Sequence, residues 1–390
     1  MLTEQELHDL IEGGEGSFTE FKREIDSAIN IAAEIVAFAN TEGGVLLIGV
    51  DDDQSIHGVD DFEAVERRVV GICRDSIVPS IVPEVERAGI EETAKTVVIV
   101  RVPKGIDKPY RTKTDHYYIR AGSTRRRTSK EELARLFQEA GFVHYDIAAV
   151  PGTSLASLDM HRIEKYFERV YGRDIRRSSI GVDKLLENVK ILTRDGQATV
   201  GGVLFFAERP TDFLFQAGIM LVRYAGSVVS EHIVRTKRVE SPLPEAIDQA
   251  LEFVTNNVQS TTTLVGARRV DIHQYPPPVV KEAITNAVAH RNYSISGSRV
   301  TIWIFDDHIE IKSPGRLPNT ITLESIKYGV SFSRNQFIVK LLNNYGYIEL
   351  LGQGVPTMIK QMRDHVGKEP DFAERGEQFA VTLYGKKINE

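Results

Sequence analysis

Between residues 27 and 50 the chain runs from an apolar helix pattern, through Asn40-Thr41-Glu42-Gly43-Gly44, into the run Val45-Leu46-Leu47-Ile48-Gly49-Val50. That run carries no polar side chain and is too short for a free-standing helix. It reads as a strand buried inside a sheet, and such strands need cover from other elements. Ile29, Ala32, Ala33 and Val36 recur at helical spacing just before it, so a helix over 27–40 supplies that cover. Asn40 and the Gly-Gly pair end the helix because they tolerate backbone angles that other residues avoid. The expected fold class is therefore α+β.

The same patterns extend along the chain. Lys95 to Val102 reads as a second buried strand and His116 to Arg120 as a third. Ser129 followed by Glu131 and Glu132 reads as a capped helix start. Pattern is lost near Val150-Pro151-Gly152-Thr153-Ser154, which reads as a linker. Beyond it come helices over 158–171 and 181–189, a buried run Val200 to Ala207, a strand over 217–224 and a helix that opens after Pro242-Leu243-Pro244 and runs to about Asn257. Ser260 to Thr263 reads as a loop. After Tyr275-Pro276-Pro277-Pro278 the expectation is a helix over 278–290. Strands Val300 to Phe305 and His308 to Lys312 follow, then helices over 334–344 and 354–364 and a strand over 378–384. At 390 residues, three units are expected: 1–150, a connecting unit 151–270, and 271–390.

Composition excludes several classes. With 48 basic and 55 acidic residues the net charge is −7, so nucleic-acid contact requires a local patch. Cys73 is the single cysteine, which rules out an intramolecular disulfide and any zinc site with two cysteines. No apolar run approaches the roughly 20 residues that cross a bilayer, and the N-terminus lacks a secretory pattern. A cytoplasmic protein with no membrane partner is the expectation.

Charge is unevenly spread. From Arg101 to Lys130 lie ten basic residues and two acids, a local balance of +8. Arg120, Arg125, Arg126 and Arg127 flank Gly122-Ser123-Thr124 beside Tyr117 and Tyr118. Arginine forks, hydroxyls and stacking rings suit phosphate and base contacts. The competing reading is a solvated loop paired with the acids of 51–61. Glu15 and Glu20 lie five residues apart, and Asp51-Asp52-Asp53 follow the first strand. Such carboxylates suit Mg²⁺ or Mn²⁺, or they form a solvated turn.

In order, Glu20-Phe21-Lys22, Ala37 to Gly44, Leu47 to Asp52 and Tyr118-Ile119-Arg120-Ala121-Gly122-Ser123 resemble a Schlafen-type AlbA-like domain over about 15–140. The resemblance implies an α+β nucleic-acid-binding module. Some animal members are metal-dependent ribonucleases, whose acids fall on Glu15, Glu20 and Asp51 or Asp52. In prokaryotic relatives the module is regarded as DNA-binding or regulatory.

Glu282 and Asn286 stand at i and i+4, on one face of the expected helix. The Asn amide oxygen suits Mg²⁺, and the Glu suits orienting or deprotonating water. In isolation such a pair also reads as a solvated helix face. This helix, the two strands after it, Ser313 to Pro318 and Glu349 to Gly354 resemble a divergent GHKL ATP-binding domain, an α/β sandwich, over about 275–385. The resemblance implies ATP and Mg²⁺ as cofactors. It places Glu282 as catalytic, Asn286 as the Mg²⁺ ligand, Gly315 at the adenine and Gly352 and Gly354 at the phosphates. Ser313 stands where that family has an Asp for the adenine amino group, which implies weak discrimination between ATP and GTP. No Walker-type glycine-lysine motif, His-Glu-x-x-His or Gly-x-Ser-x-Gly occurs.

Leu186-Glu187-Asn188 and Thr199 to Phe206 resemble the connecting region of proteins that join these modules, described as transcriptional regulators or RecG-like. The expectation is a DNA-binding rather than RNA-binding regulator with a GHKL-like, weakly active ATPase, a homo-oligomer and specifically a dimer. The alternatives are a Schlafen-like metal-dependent nuclease and a non-catalytic dimerising scaffold with a degenerate nucleotide site.

Overall fold

A computed structural model describes residues 4–90, 95–265, 268–318, 321–349 and 352–388. The chain divides into two compact units, Met1–Val143 and His144–Glu390.

In the first unit α1 (Glu4–Glu12), β1 (Thr19–Lys22), α2 (Ala28–Asn40), β2 (Gly44–Ile48) and α3 (Phe62–Asp75) are followed by β3 (Ile77–Val78), β4 (Glu84–Ile90) and β5 (Lys95–Val102). Then come β6 (Arg111–Thr112), β7 (Tyr118–Ala121), β8 (Thr124–Arg127) and α4 (Lys130–Glu139). The main sheet has the order β1-β2-β5-β4. Its apolar strands serve two cores. Leu46, Ile48, Val98 and Val100 pack with α2 and α3, while Leu47, Val97 and Ile99 pack with Leu7 and Ile11 of α1. Alternate residues of a strand face opposite ways, which is why β2 had to be apolar throughout. Ser129 and Glu132 close a capping box at the start of α4.

The second unit comprises α5 (Met160–Tyr171), α6 (Val182–Asn188), α7 (Val200–Phe206), β9 (Ile219–Tyr224), β10 (Ile233–Val239) and α8 (Leu243–Thr255). These precede β11 (Ser260–Val265), β12 (Arg268–His273), α9 (Pro277–Ala289), β13 (Val300–Ile304) and β14 (His308–Pro314). The unit closes with α10 (Leu323–Lys327), α11 (Gln336–Tyr345), α12 (Gly354–Val366), β15 (Asp371–Arg375) and β16 (Gln378–Tyr384). Its sheet has the order β10-β9-β13-β14-β16-β15. Ile219, Leu221, Ile302, Ile304, Ile309, Ile311 and Leu383 face one continuous core shared with α8, α9 and α12. Across the sheet lies a small apolar cluster of Val222, Tyr224 and Phe305.

Three expectations differ from the structure. The stretch expected as a linker, 150–154, is tied into the second unit: Val150 and Thr153 are buried, the Val150 N–H donates to Ala198 O, and Thr153 Oγ1 accepts from the Ala198 N–H. The break lies instead at 143/144. The boundary expected at 270 falls inside the second unit, because β9 pairs in parallel with β13. A parallel pair needs a long crossover, here the stretch that carries α8 and α9. The loop expected at Ser260 to Thr263 is strand β11, paired along its length with β12.

Candidate functional site

Pro277 and Pro278 occupy the first turn of α9, where a missing N–H costs nothing. Val279, Val280, Ala283, Ile284 and Val288 anchor the helix in the core. That anchoring turns Glu282 and Asn286 together to the wall of a cavity of about 270 Å³. Asn286 Nδ2 donates to Glu282 Oε1 at 2.9 Å, which leaves the Asn286 amide oxygen free of protein donors among the described residues. Burial pushes the Glu282 carboxyl above its usual range, and the bond from Asn286 opposes the shift only in part. The floor is apolar: Ile311 and Val381 from the sheet, and Met358 from α12.

The glycines form the wall. A Cβ on Gly354 would stand 1.8 Å from Glu282 Oε1, so any larger residue at the start of α12 would have to push that carboxylate aside. Gly352 has φ +67, and a Cβ there would lie 3.1 Å from Gly329 O. Gly329, with φ +83, approaches Gly352 O reciprocally. It lines the cavity and was missed in the sequence, although a glycine just past a short helix is a visible signal. Gly315, at φ +108, would put a Cβ 2.6 Å from the Asn292 Cβ. Of the Glu349 to Gly354 motif, Leu350 and Leu351 lie outside the described residues.

Ser313 is buried, and its Oγ donates to Ala287 O at 2.6 Å. Its proton is therefore committed to α9, and the hydroxyl presents lone pairs to the cavity. Arg334, also buried, lines the same end and donates to Arg316 O. Beside it His290 is held neutral: burial first, then the Arg334 charge, push it down to about 4.

The first unit treats its candidate residues differently. The Arg120 side chain is 1% exposed. Its Nη1 donates to Glu20 Oε2 at 2.8 Å and to Glu34 Oε2 at 3.1 Å, and its Nη2 donates to Gly16 O at 2.6 Å. The guanidinium lies 4.7 Å from the Phe38 ring centroid. Arg125 donates to Glu34 Oε1 at 3.0 Å and to Asn30 O at 2.7 Å. Arg126 is bidentate to Glu132. Only Arg127 of the four stands exposed without an ion pair among the described residues, and the exposed Lys113 and Lys130 do likewise. The partners of Arg120, Arg125 and Arg126 are Glu20, Glu34 and Glu132, not the acids of 51–61. Glu34 was missed. Its signal was a lone carboxylate within Ile31-Ala32-Ala33-Glu34-Ile35-Val36.

Glu15, Glu20, Asp51 and Asp52 do not form a shared site. Glu15 Oε1 accepts the Phe21 N–H at 2.9 Å, Glu20 belongs to the Arg120 network, and Asp51 faces His57 and Arg23 at 3.5 and 3.8 Å. Asp52 is exposed. Among the described residues no group of three or more His, Cys, Asp or Glu side chains is placed to hold a metal ion. No described helix is long and apolar enough to cross a membrane.

Two family models match the chain. One, described as "Schlafen, AlbA_2", covers residues 15–129. The other, described as "Putative ATP-dependent DNA helicase recG C-terminal", covers residues 297–383. Among solved structures the DIP2311 protein of Corynebacterium diphtheriae is similar at 19% identity, over 98% of this chain and 80% of that one, with a TM-score of 0.49. The N-terminal domain of a putative ATP-dependent DNA helicase RecG-related protein of Nitrosomonas europaea shares 27% identity, over 33% of this chain and 95% of that one, with a TM-score of 0.26. No curated protein matches.

Proposed function

For a chain that joins a Schlafen/AlbA_2 domain to a RecG-like HATPase_c_4 domain, we propose a nucleic-acid-binding regulator whose second unit binds ATP with Mg²⁺ and hydrolyses it slowly. The observation that carries the reading is the cavity beside Glu282 and Asn286, walled by glycines at positive φ or in close approach to the Glu282 carboxylate.

The residues present fit a nucleotide. An apolar floor suits a purine, and Ser313 and Arg334 offer an acceptor and a donor at the Gly315 end. The backbone around Gly352 and Gly354 leads into the start of α12, where unpaired N–H groups favour phosphate. The free amide oxygen of Asn286 suits Mg²⁺. When bound, the metal neutralises phosphate charge. Glu282, whose carboxyl burial raises, is suited to orient a water and take its proton. The nucleic-acid role rests on the Schlafen/AlbA_2 match and on the free cations Lys113, Arg127 and Lys130, and DNA is the target we assign. A dimer belongs to the same proposal.

Thermal melting with ATP and Mg²⁺ tests the pocket. At a hundredfold excess over Kd, mass action gives about 2.7 kcal/mol, or roughly 5–10 °C for a unit of this size. Asn286→Ala should remove much of that shift, while Glu282→Ala should keep binding and lose hydrolysis. No shift with any nucleotide at millimolar concentration would refute the reading and leave a scaffold with a degenerate site.

A further inference from the structure

The sheet of the second unit ends at β10, which pairs with β9 on one side and has no described strand on the other. Its outer row of N–H and C=O groups is an open template for another strand. Ile233 and Val234 on this strand are 53% and 62% exposed. Arg235 and Lys237 project to the face that carries α8. There they flank an open groove of about 260 Å³ with Glu252, Phe253 and Asn256 of that helix and its end. Neither cation forms an ion pair or a hydrogen bond among the described residues, Glu252 and the terminal carbonyls of α8 included.

We propose that β10 and the α8 groove form a docking site for an extended acidic peptide segment. The segment adds as a seventh strand, and its alternate carboxylates meet Arg235 and Lys237. Backbone bonds supply a sequence-independent part of such binding, and alternate side chains supply the selectivity. The same cations disfavour a second copy of this chain. An antiparallel β10–β10 pair centred on Thr236 sets Arg235 opposite Lys237, and like charges facing across a ladder repel. A nucleic-acid backbone would satisfy the two cations but leave the amide row and the exposed Ile233 and Val234 without partners. The site lies apart from the nucleotide cavity and does not depend on that reading.

Fluorescence anisotropy of the full chain with a labelled nine-residue peptide of alternating Thr and Glu tests the assignment, beside a matched Thr and Lys peptide. The Glu peptide should bind more tightly and protect the amides of 233–239 from hydrogen exchange. R235E/K237E should weaken the Glu peptide about tenfold, as two exposed pairs imply, and should favour the Lys peptide. R235A/K237A, which adds no new charge, should weaken the Glu peptide without that reversal. Equal affinity for both peptides would overturn the proposal. So would protection elsewhere, or binding by wild type that both double variants retain. A duplex oligonucleotide bound through these cations with no peptide bound, or a dimer lost in R235E/K237E, would also overturn it.

Discussion

Replacing Arg120 by Met separates a structural cation from a phosphate contact. The guanidinium is enclosed between Glu20, Glu34, Gly16 O and the Phe38 ring. Methionine keeps much of the apolar stem and removes the charge. Two carboxylates, each under 10% exposed, then lose their shared partner. Breaking a buried ion network in this way costs about 3–5 kcal/mol. At about 4 °C per kcal/mol for a unit of this size, the melting point should fall by roughly 12–20 °C. The cost should depend on pH in a defined direction. Burial and the Glu20 charge already raise the Glu34 carboxyl above its reference value of 4.5 in the folded state, and Arg120 is one of the groups that lower it. A group raised on folding holds its proton more tightly when folded. Its contribution is therefore most favourable below the unfolded value and is lost as pH rises through the folded one. Removing Arg120 raises Glu34 further, so the penalty should be largest near pH 7 and shrink towards pH 5. Circular dichroism melts at the two pH values read the effect, and hydrogen exchange across α2 assigns it to the first unit. Arg120→Met with Glu20→Gln and Glu34→Gln should recover much of the loss, since no buried carboxylate then lacks its cation, while Lys22 and Arg125, which lose Glu20 and Glu34, are partly exposed and can hydrate. An unchanged melting point, with weaker nucleic-acid binding and a shallower salt slope, would show that Arg120 contacts phosphate and that the network contributes no stability.

Gly354→Ala should displace the Glu282 carboxylate, because the new Cβ would fall 1.8 Å from its Oε1. ATP hydrolysis should drop by at least about tenfold, the effect of losing about 1.4 kcal/mol of alignment; wild-type turnover would refute the placement. With its proton given to Ala287 O, Ser313 can only accept from a bound base, so wild type should favour ATP over GTP by no more than about tenfold, the worth of one neutral hydrogen bond. Calorimetric titration should show that margin vanish in Ser313→Ala, and a strong ATP preference that survives the change would mean another residue reads the base. Arg127→Glu with Lys130→Glu should weaken binding to all duplex sequences and lower the slope of log K against log salt by about two; an unchanged slope would remove these cations from the interface.

Local pattern was enough for the elements that carry the site. The apolar run at β2, the helix before it and the proline-led α9 are set by periodicity, capping and φ preferences that act over a few residues. The pairing of Glu282 with Asn286 was equally legible, because i and i+4 share a face in any helix. Other features depended on contacts between residues far apart in the chain. Arg120 and Glu20 read as solvent-facing chemistry, yet they are buried partners separated by 100 positions. Nothing local distinguishes an arginine that meets phosphate from one that meets an internal carboxylate. Glu34 sat in plain view on an apolar helix, and only its two arginine partners explain why it is tolerated there. Val150 and the 270 boundary were misplaced for a related reason. Loss of pattern marks irregular backbone, whereas a domain break requires that few contacts cross it, and the parallel β9–β13 pair carries the core across residue 270. Sequence thus determined the elements that carry the site and which faces they bury. The tertiary structure decided which charges face one another, because burial and distance set whether a side chain is bound internally or free for a ligand.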